Sequence, residues 1–223
     1  MTLINNQHIR EYEGDGRTVM LKRVRLSYGD SLKDAKPVVA DGPPKHTSNF
    51  IIESDQPGFD EKKAAAIKAI KAACEKAWKN PDRYKAIMED DPKRISLRRG
   101  ERYKNKDSGE VYAGYAGNMV ISAAGPSGGK KRPKLLDRRG NEVPYEKIDD
   151  IMYSGTYCDL KVSFYGTDKG GSAGLFATIE AIKSREFGER MGGGAAATNA
   201  NEFDEFDDED GFDGGAAAGG DDF

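Results

Sequence analysis

Five stretches of this 223-residue chain alternate or run apolar in the manner of short strands: 19–28, 47–53, 118–123, 152–165 and 174–182. In the first, Val24, Leu26 and Tyr28 point one way and Arg23, Arg25 and Ser27 the other, so one face is core and the other cationic. In the second, Phe50 and Ile52 share a side. The fourth is the clearest. Cys158, Leu160, Val162 and Phe164 occupy one face, and Tyr153, Tyr157, Lys161 and Tyr165 the opposite one. Residues 166–174 form a hairpin turn, after which Leu175, Ala177 and Ile179 again alternate.

The period changes between 60 and 90. Ile67, Ile70, Cys74, Ala77 and Trp78 recur at spacings of three and four, which predicts an amphipathic helix with a lysine-rich outer face and Asp60 as its N-cap. Asn80 and Pro81 predict the N-cap and first position of a second, short helix ending near Met88. Extended structure returns at Ile95, and residues 33–44 read as a loop. A mainly β chain with one main helix and long basic loops predicts an OB fold, the five-stranded Greek-key barrel, over residues 1–190. The helical insertion at about 60–90 interrupts it. A flexible linker is expected at 191–200 and a disordered acidic tail at 201–223, where too little apolar surface exists to order the chain.

Charge divides the molecule. Ten carboxylates and four phenylalanines, but no lysine or arginine, lie in the last 23 residues. The preceding 200 carry 35 basic against 28 acidic side chains, a balance of +7 hidden within the whole-chain value of -3. A basic body with an acidic tether points to a polyanionic partner, which the tail can imitate. Two cysteines far apart and two histidines argue against a zinc or histidine-rich metal centre and for a reducing compartment. No segment reads as a signal peptide or membrane span, so the expected location is the cytoplasm, with no cofactor.

The tyrosine face at 153–165 has the chemistry of a single-strand platform, because bases stack on flat rings while neighbouring cations meet phosphate. Tyrosine is also a good strand former, so the basic neighbours decide the reading. Two clusters supply them. Lys93, Arg94, Arg98, Arg99, Arg102, Lys104 and Lys106 surround Tyr103, and a second cluster starts with Lys130, the last residue of the sequence GPSGGK at 125–130, and goes on through Lys131, Arg132, Lys134, Arg138 and Arg139. That glycine-rich sequence has three residues where a phosphate-binding P-loop needs four and lacks the final Ser or Thr, so it reads as a loop. Glu89, Asp90, Asp91, Asp149 and Asp150 are the candidate metal carboxylates of a nuclease, but nothing in their spacing brings them together. In the tail, EFDEFDDEDGFD and the closing Asp221, Asp222 and Phe223 suit docking on a basic-rimmed apolar pocket, with Phe203, Phe206, Phe212 and Phe223 as anchors.

The segments RVRLSYGD, SNFIIESD, YAGNMVISAAG, MYSGTYCDLKVSFYGTD and GSAGLFATIEAIKS, with the DDF ending, resemble phage single-stranded DNA-binding proteins that have an OB fold. The resemblance covers most of the body. It implies the barrel, protection of exposed DNA during phage replication or recombination, and recruitment of replication proteins by the tail. The residues themselves predict phosphate contacts from Arg23, Arg25, Arg98, Arg99, Arg102, Lys130, Lys131, Arg132 and Lys161, and stacking by Tyr103, Tyr153, Tyr157 and Tyr165, in a protein without catalytic residues. Duplex DNA or RNA binding and a DNA-mimicking adaptor acting through its tail are the alternatives.

Overall fold

The computed structural model describes residues 3–38, 42–105, 108–168 and 173–191. The expected tail lies outside them, as do residues 192–200 of the linker. The strands are β1 (Ile9–Glu11), β2 (Thr18–Ser27), β3 (Lys36–Pro37), β4 (Pro44–Lys45), β5 (Thr47–Ile52), β6 (Leu97–Arg99), β7 (Met119–Ala124), β8 (Lys134–Leu136), β9 (Tyr157–Thr167) and β10 (Gly174–Glu186). The helices are α1 (Asp30–Lys33), α2 (Phe59–Trp78), α3 (Arg83–Asp90) and α4 (Ile148–Ile151).

Five strands close the barrel. β2 pairs antiparallel with β5, β5 with β7, β9 with β2 and β10 with β9, and a parallel contact of Thr178 with Ala124 joins β10 to β7. Taken as strands one to five in chain order, they follow one another around the barrel as 1-2-3-5-4, so the chain has the predicted OB fold. β1 extends β2, β6 shares the edge of β7, and β8 pairs with the later part of β10. The small β3–β4 hairpin stands off the sheet within what reads as loop in the sequence.

The alternation in β9 survives intact: Cys158, Leu160, Val162 and Phe164 are all buried in the core with Leu21, Leu26, Phe50, Ile121 and Ile179. In β2 it does not run through. Between Leu21 and Val24 the strand bulges, and Arg23 takes a left-handed φ of 54°. The Arg23 N–H donates to Oδ1 of Asp159 at 3.0 Å and its carbonyl accepts from the buried Lys62 Nζ at 3.3 Å. Those two bonds hold a conformation that costs about 1–3 kcal/mol on its own. Tyr28, expected beside Val24 and Leu26, lies beyond the strand at φ 57° and is 45% exposed, because the chain has already turned out of the sheet.

α2 packs mainly on β9 and β2 and also touches β1, β5 and β10. Its buried stripe is built largely of small residues, Ala65, Ala66, Ala69, Ala73 and Cys74 with Ile70, whereas Ala77 is exposed. The helix begins one residue before Asp60, with Gly58 as N-cap, so Asp60 instead faces the positive end of the dipole from the first turn. α3 likewise starts later than Asn80 and Pro81 suggest, behind Asp82.

Both cysteines are free and buried, Cys74 on the inner face of α2 and Cys158 in β9. Burial pushes both thiols up, that of Cys74 to about 11, so neither carries thiolate near neutrality. A thiol-specific disulfide reagent at pH 8 is expected to label neither until the barrel opens, at a rate that rises in parallel with loss of tertiary signal in denaturant. Rapid labelling of one equivalent in native buffer would show that α2 lifts off by itself.

Candidate nucleic-acid interface

A groove of about 990 Å³ crosses the outer faces of β5, β7, β10 and β9, over the seam where the barrel closes. Four rings look onto it: Tyr28, Tyr103, Tyr165 and Phe176. Tyr165 and Phe176 are cross-strand neighbours in the β9–β10 ribbon with ring centroids 6.0 Å apart. Lys45 and Arg98 bring positive charge, and no carboxylate is present among the described lining residues. Val38 and Pro37, from the β3–β4 hairpin, form one rim, and Gly128 lies on the border too.

The floor is a directed chain of hydrogen bonds. Ser122 Oγ donates to Asn49 Oδ1 at 2.7 Å, and Asn49 Nδ2 donates to the Tyr115 hydroxyl at 3.0 Å. Tyr115 in turn donates to Ser27 Oγ at 2.8 Å. Ser122 has spent its one proton, so it accepts from the Tyr103 hydroxyl at 2.6 Å and from Arg98 Nη2 at 3.0 Å. The Arg98 guanidinium also stacks over the Tyr103 ring at 4.6 Å. Burial pushes the phenols of Tyr28, Tyr103, Tyr115 and Tyr165 upward, which keeps these hydroxyls neutral at physiological pH.

Tyr103 reaches the groove on a strap whose described residues, 100–105 and 108–117, fold over the outer face of β5 and β7. There Tyr115 of the strap joins Ile51 and Val120 in a second small core, with Tyr103, Val111 and Met191 against it. Period-two reasoning leaves this layer unseen, since Ile51 and Val120 sit on the face expected to meet solvent.

The structure thus brings Arg98, Tyr103 and Tyr165 together and puts the other sequence candidates elsewhere. Tyr157, on β9 but eight residues from Tyr165, packs under Arg23 and Arg25, whose guanidiniums lie 4.2 and 5.7 Å from its ring centre. Tyr153 belongs to the turn between α4 and β9 rather than to the strand, and its hydroxyl donates to the Gly188 carbonyl. Lys161 sits over Tyr12 at 4.5 Å. Arg132 donates to the carbonyls of Leu32 and Lys33 and so fastens α1. Arg99, Arg102, Lys130 and Lys131 are exposed. The tail residues Phe203, Phe206, Phe212, Asp221, Asp222 and Phe223 lie outside the described residues.

Phe176, Tyr28, Asn49 and Lys45 are groove residues that sequence reasoning missed. For Phe176 the signal existed, because it falls on the opposite face to Leu175 and Ala177. The sequence GPSGGK is a loop between β7 and β8, and His46 pins it by accepting from the Gly125 N–H and donating to the Gly129 carbonyl. The acidic residues considered for a metal are engaged separately, Asp149 with Lys33, Asp150 with Lys147 and Asp91 with the Lys93 N–H. Among the described residues no three such side chains converge.

Residues 17–213 match the family model described as Enterobacter phage Enc34, ssDNA-binding protein. A protein named p50 of Acyrthosiphon pisum secondary endosymbiont phage 1 is 33% identical over 193 residues, covering 85% of this chain and 92% of that protein. The solved structure of the single-stranded DNA-binding protein from bacteriophage Enc34 in complex with ssDNA superposes with a TM-score of 0.64 at 16% identity, over 85% of this chain and 96% of the other. A second solved structure of the single-stranded DNA-binding protein from bacteriophage Enc34 gives 0.62 at 17% identity, over 91% of this chain and 99% of the other. These superpositions support the barrel.

Proposed function

Because the chain belongs to the family of the Enterobacter phage Enc34 ssDNA-binding protein, we propose that it coats single-stranded DNA in the groove over the barrel seam during phage DNA replication or recombination. The observation that carries this is the lining: four rings and two cations, with no carboxylate among the described lining residues. Rings and charges bind any base on any strand. The groups that could read base edges, Asn49 and Ser122, are already bonded to each other and to Tyr115 and Tyr103, which supports little sequence preference. No catalytic step is assigned, and prolonged incubation with magnesium is expected to leave a labelled strand uncut. Among the described residues no helix is long and apolar enough to cross a membrane. The host cytoplasm is the proposed place of action.

The tail reading is part of the same proposal. Ten carboxylates and four phenylalanines at 201–223 complement the groove's cations and rings, so the tail competes with DNA and is freed for replication partners when DNA binds. The test uses the single tryptophan. Trp78 donates to Asp168 at 2.8 Å and packs against Gly166, a residue of the groove wall. Titration with oligo-dT across a salt series is expected to quench its emission, with affinity falling steeply as salt rises. A chain ending at Ala200 is expected to bind several-fold tighter, most clearly at low salt. Equal affinity for duplex would favour the duplex reading, and an unchanged low-salt affinity on truncation would remove tail competition.

A further inference from the structure

A second aromatic surface lies at the far end of the β9–β10 ribbon. The groove uses the ribbon's tip, where Tyr165 pairs with Phe176; at its base Tyr157 pairs with Glu186. The two positions are eight residues apart along β9, about 26 Å at strand rise. Along β9 between them Asp159 holds the Arg23 N–H and Arg185, Lys161 lies over Tyr12 and Ser163 meets Thr18, and none of the three lines the groove. The base is therefore not a wall of the groove.

Rings and guanidiniums alternate there. Arg190 lies over Tyr153 at 4.1 Å, Tyr153 meets Phe187 at 5.9 Å between ring centres, and Arg138 lies over Phe187 at 4.4 Å. Gly188 joins this ladder to the Tyr157 cluster: it accepts from the Tyr153 hydroxyl, and a Cβ on it would stand 3.0 Å from the Tyr157 ring and 2.3 Å from the Gly155 carbonyl. Only glycine lets the chain pass between the two tyrosines. Phe187 is 53% exposed, a costly position for a large ring unless something covers it. Arg23 and Arg25 have carboxylate partners in Glu186 and Glu53. Arg138 and Arg190 have none among the described residues, so their charge is free for a ligand.

We propose that this surface is a second station for single-stranded DNA, holding a stretch of the same strand that leaves the groove. The proposal rests on the function assigned above. Arginine rather than lysine supplies every cation that lies over these rings, and a planar guanidinium both stacks on bases and meets phosphate in pairs. Phe187, Tyr153 and Tyr157 would take bases, and Arg138 and Arg190 phosphates.

Oligonucleotide length separates the two stations. With the full chain, a Phe187→Ala, Arg138→Ala, Arg190→Ala variant is expected to bind an 8-mer of dT like the parent. It should bind a 30-mer at least about tenfold more weakly, with a smaller occluded site and a shallower salt dependence. All three side chains are exposed, and an unchanged melting temperature checks that the fold is intact. An unchanged 30-mer affinity and site size would overturn the proposal, as would an equal loss for both lengths, which would mean one continuous site. A peptide of residues 201–223 added in trans tests the rival occupant. If the variant loses the peptide while keeping the 30-mer, the surface belongs to an acidic aromatic segment and the proposal falls. Binding of neither length by the parent protein would overturn the functional reading itself, and this inference with it.

Discussion

Alanine at both Tyr165 and Phe176 is expected to weaken oligo-dT binding by about 2–4 kcal/mol, roughly 30- to 700-fold, while leaving the barrel folded. Each ring offers a base a stacking face, and removal of one costs about 1–3 kcal/mol of binding. The two are neighbours, so their losses should couple rather than add. Stability should change little. Both side chains project from the outer face of the ribbon, opposite the buried Phe164, Leu175 and Ala177, and a cross-strand pair there contributes only about 0.2–1 kcal/mol. Fluorescence anisotropy of a labelled short oligo-dT measures the loss, and far-ultraviolet dichroism with a thermal melt checks the fold. The comparison also separates the rival readings. If the protein grips duplex through its basic loops, the rings are structural and the double variant binds within twofold of the parent. That result would take the groove out of the account.

Much of this was legible because it is local. The inward set on β9 follows from alternation alone, and α2 from its three-four spacing. The groove itself is not local. Phe176 and Tyr165 meet through the register of a hairpin, Asn49 and Ser122 through the pairing of β5 with β7, and Tyr103 through a strap whose course no period encodes. Charge patterns mislead in a related way. Arg132 reads as a phosphate contact in a basic run, yet its guanidinium donates to two backbone carbonyls at the end of α1. The Tyr153–Tyr165 face divides for a geometric reason: α4 and its turn end only at Thr156, and the strand that follows is long enough to carry its first and last tyrosines to different surfaces. Tyr28 shows the limit of alternation, which holds only while the backbone stays extended.

The strap should be the point at which fold and binding fail together. Gly100 opens it, with its N–H donating to the Asn118 carbonyl at 2.8 Å and its own carbonyl accepting from the Tyr103 N–H at 2.9 Å. A Cβ added at Gly100 would stand 1.6 Å from the Tyr115 carbonyl oxygen, which is backbone and has no rotamer to change. Gly100→Ala must therefore spread the two ends of the strap. Tyr115, 2% exposed, would be drawn from its place over Ile51 and Val120, breaking its bonds with Ser27 and Asn49. Overpacking of this kind costs about 1–3 kcal/mol, and unmade buried hydrogen bonds add to it. A total of about 2–4 kcal/mol should lower the melting temperature by roughly 5–15 °C in a domain of this size. Below that melt the barrel persists, but Tyr103 and Arg98 lose the Ser122 hub that aims them, so oligo-dT affinity should drop by about tenfold. Tyr115→Phe isolates the polar share, since the ring stays while Asn49 Nδ2 loses its acceptor and Ser27 its donor. It should melt between the parent and Gly100→Ala. If Gly100→Ala instead melts with the parent and binds normally, the strap has slack, and the floor of the groove is positioned by the strands alone.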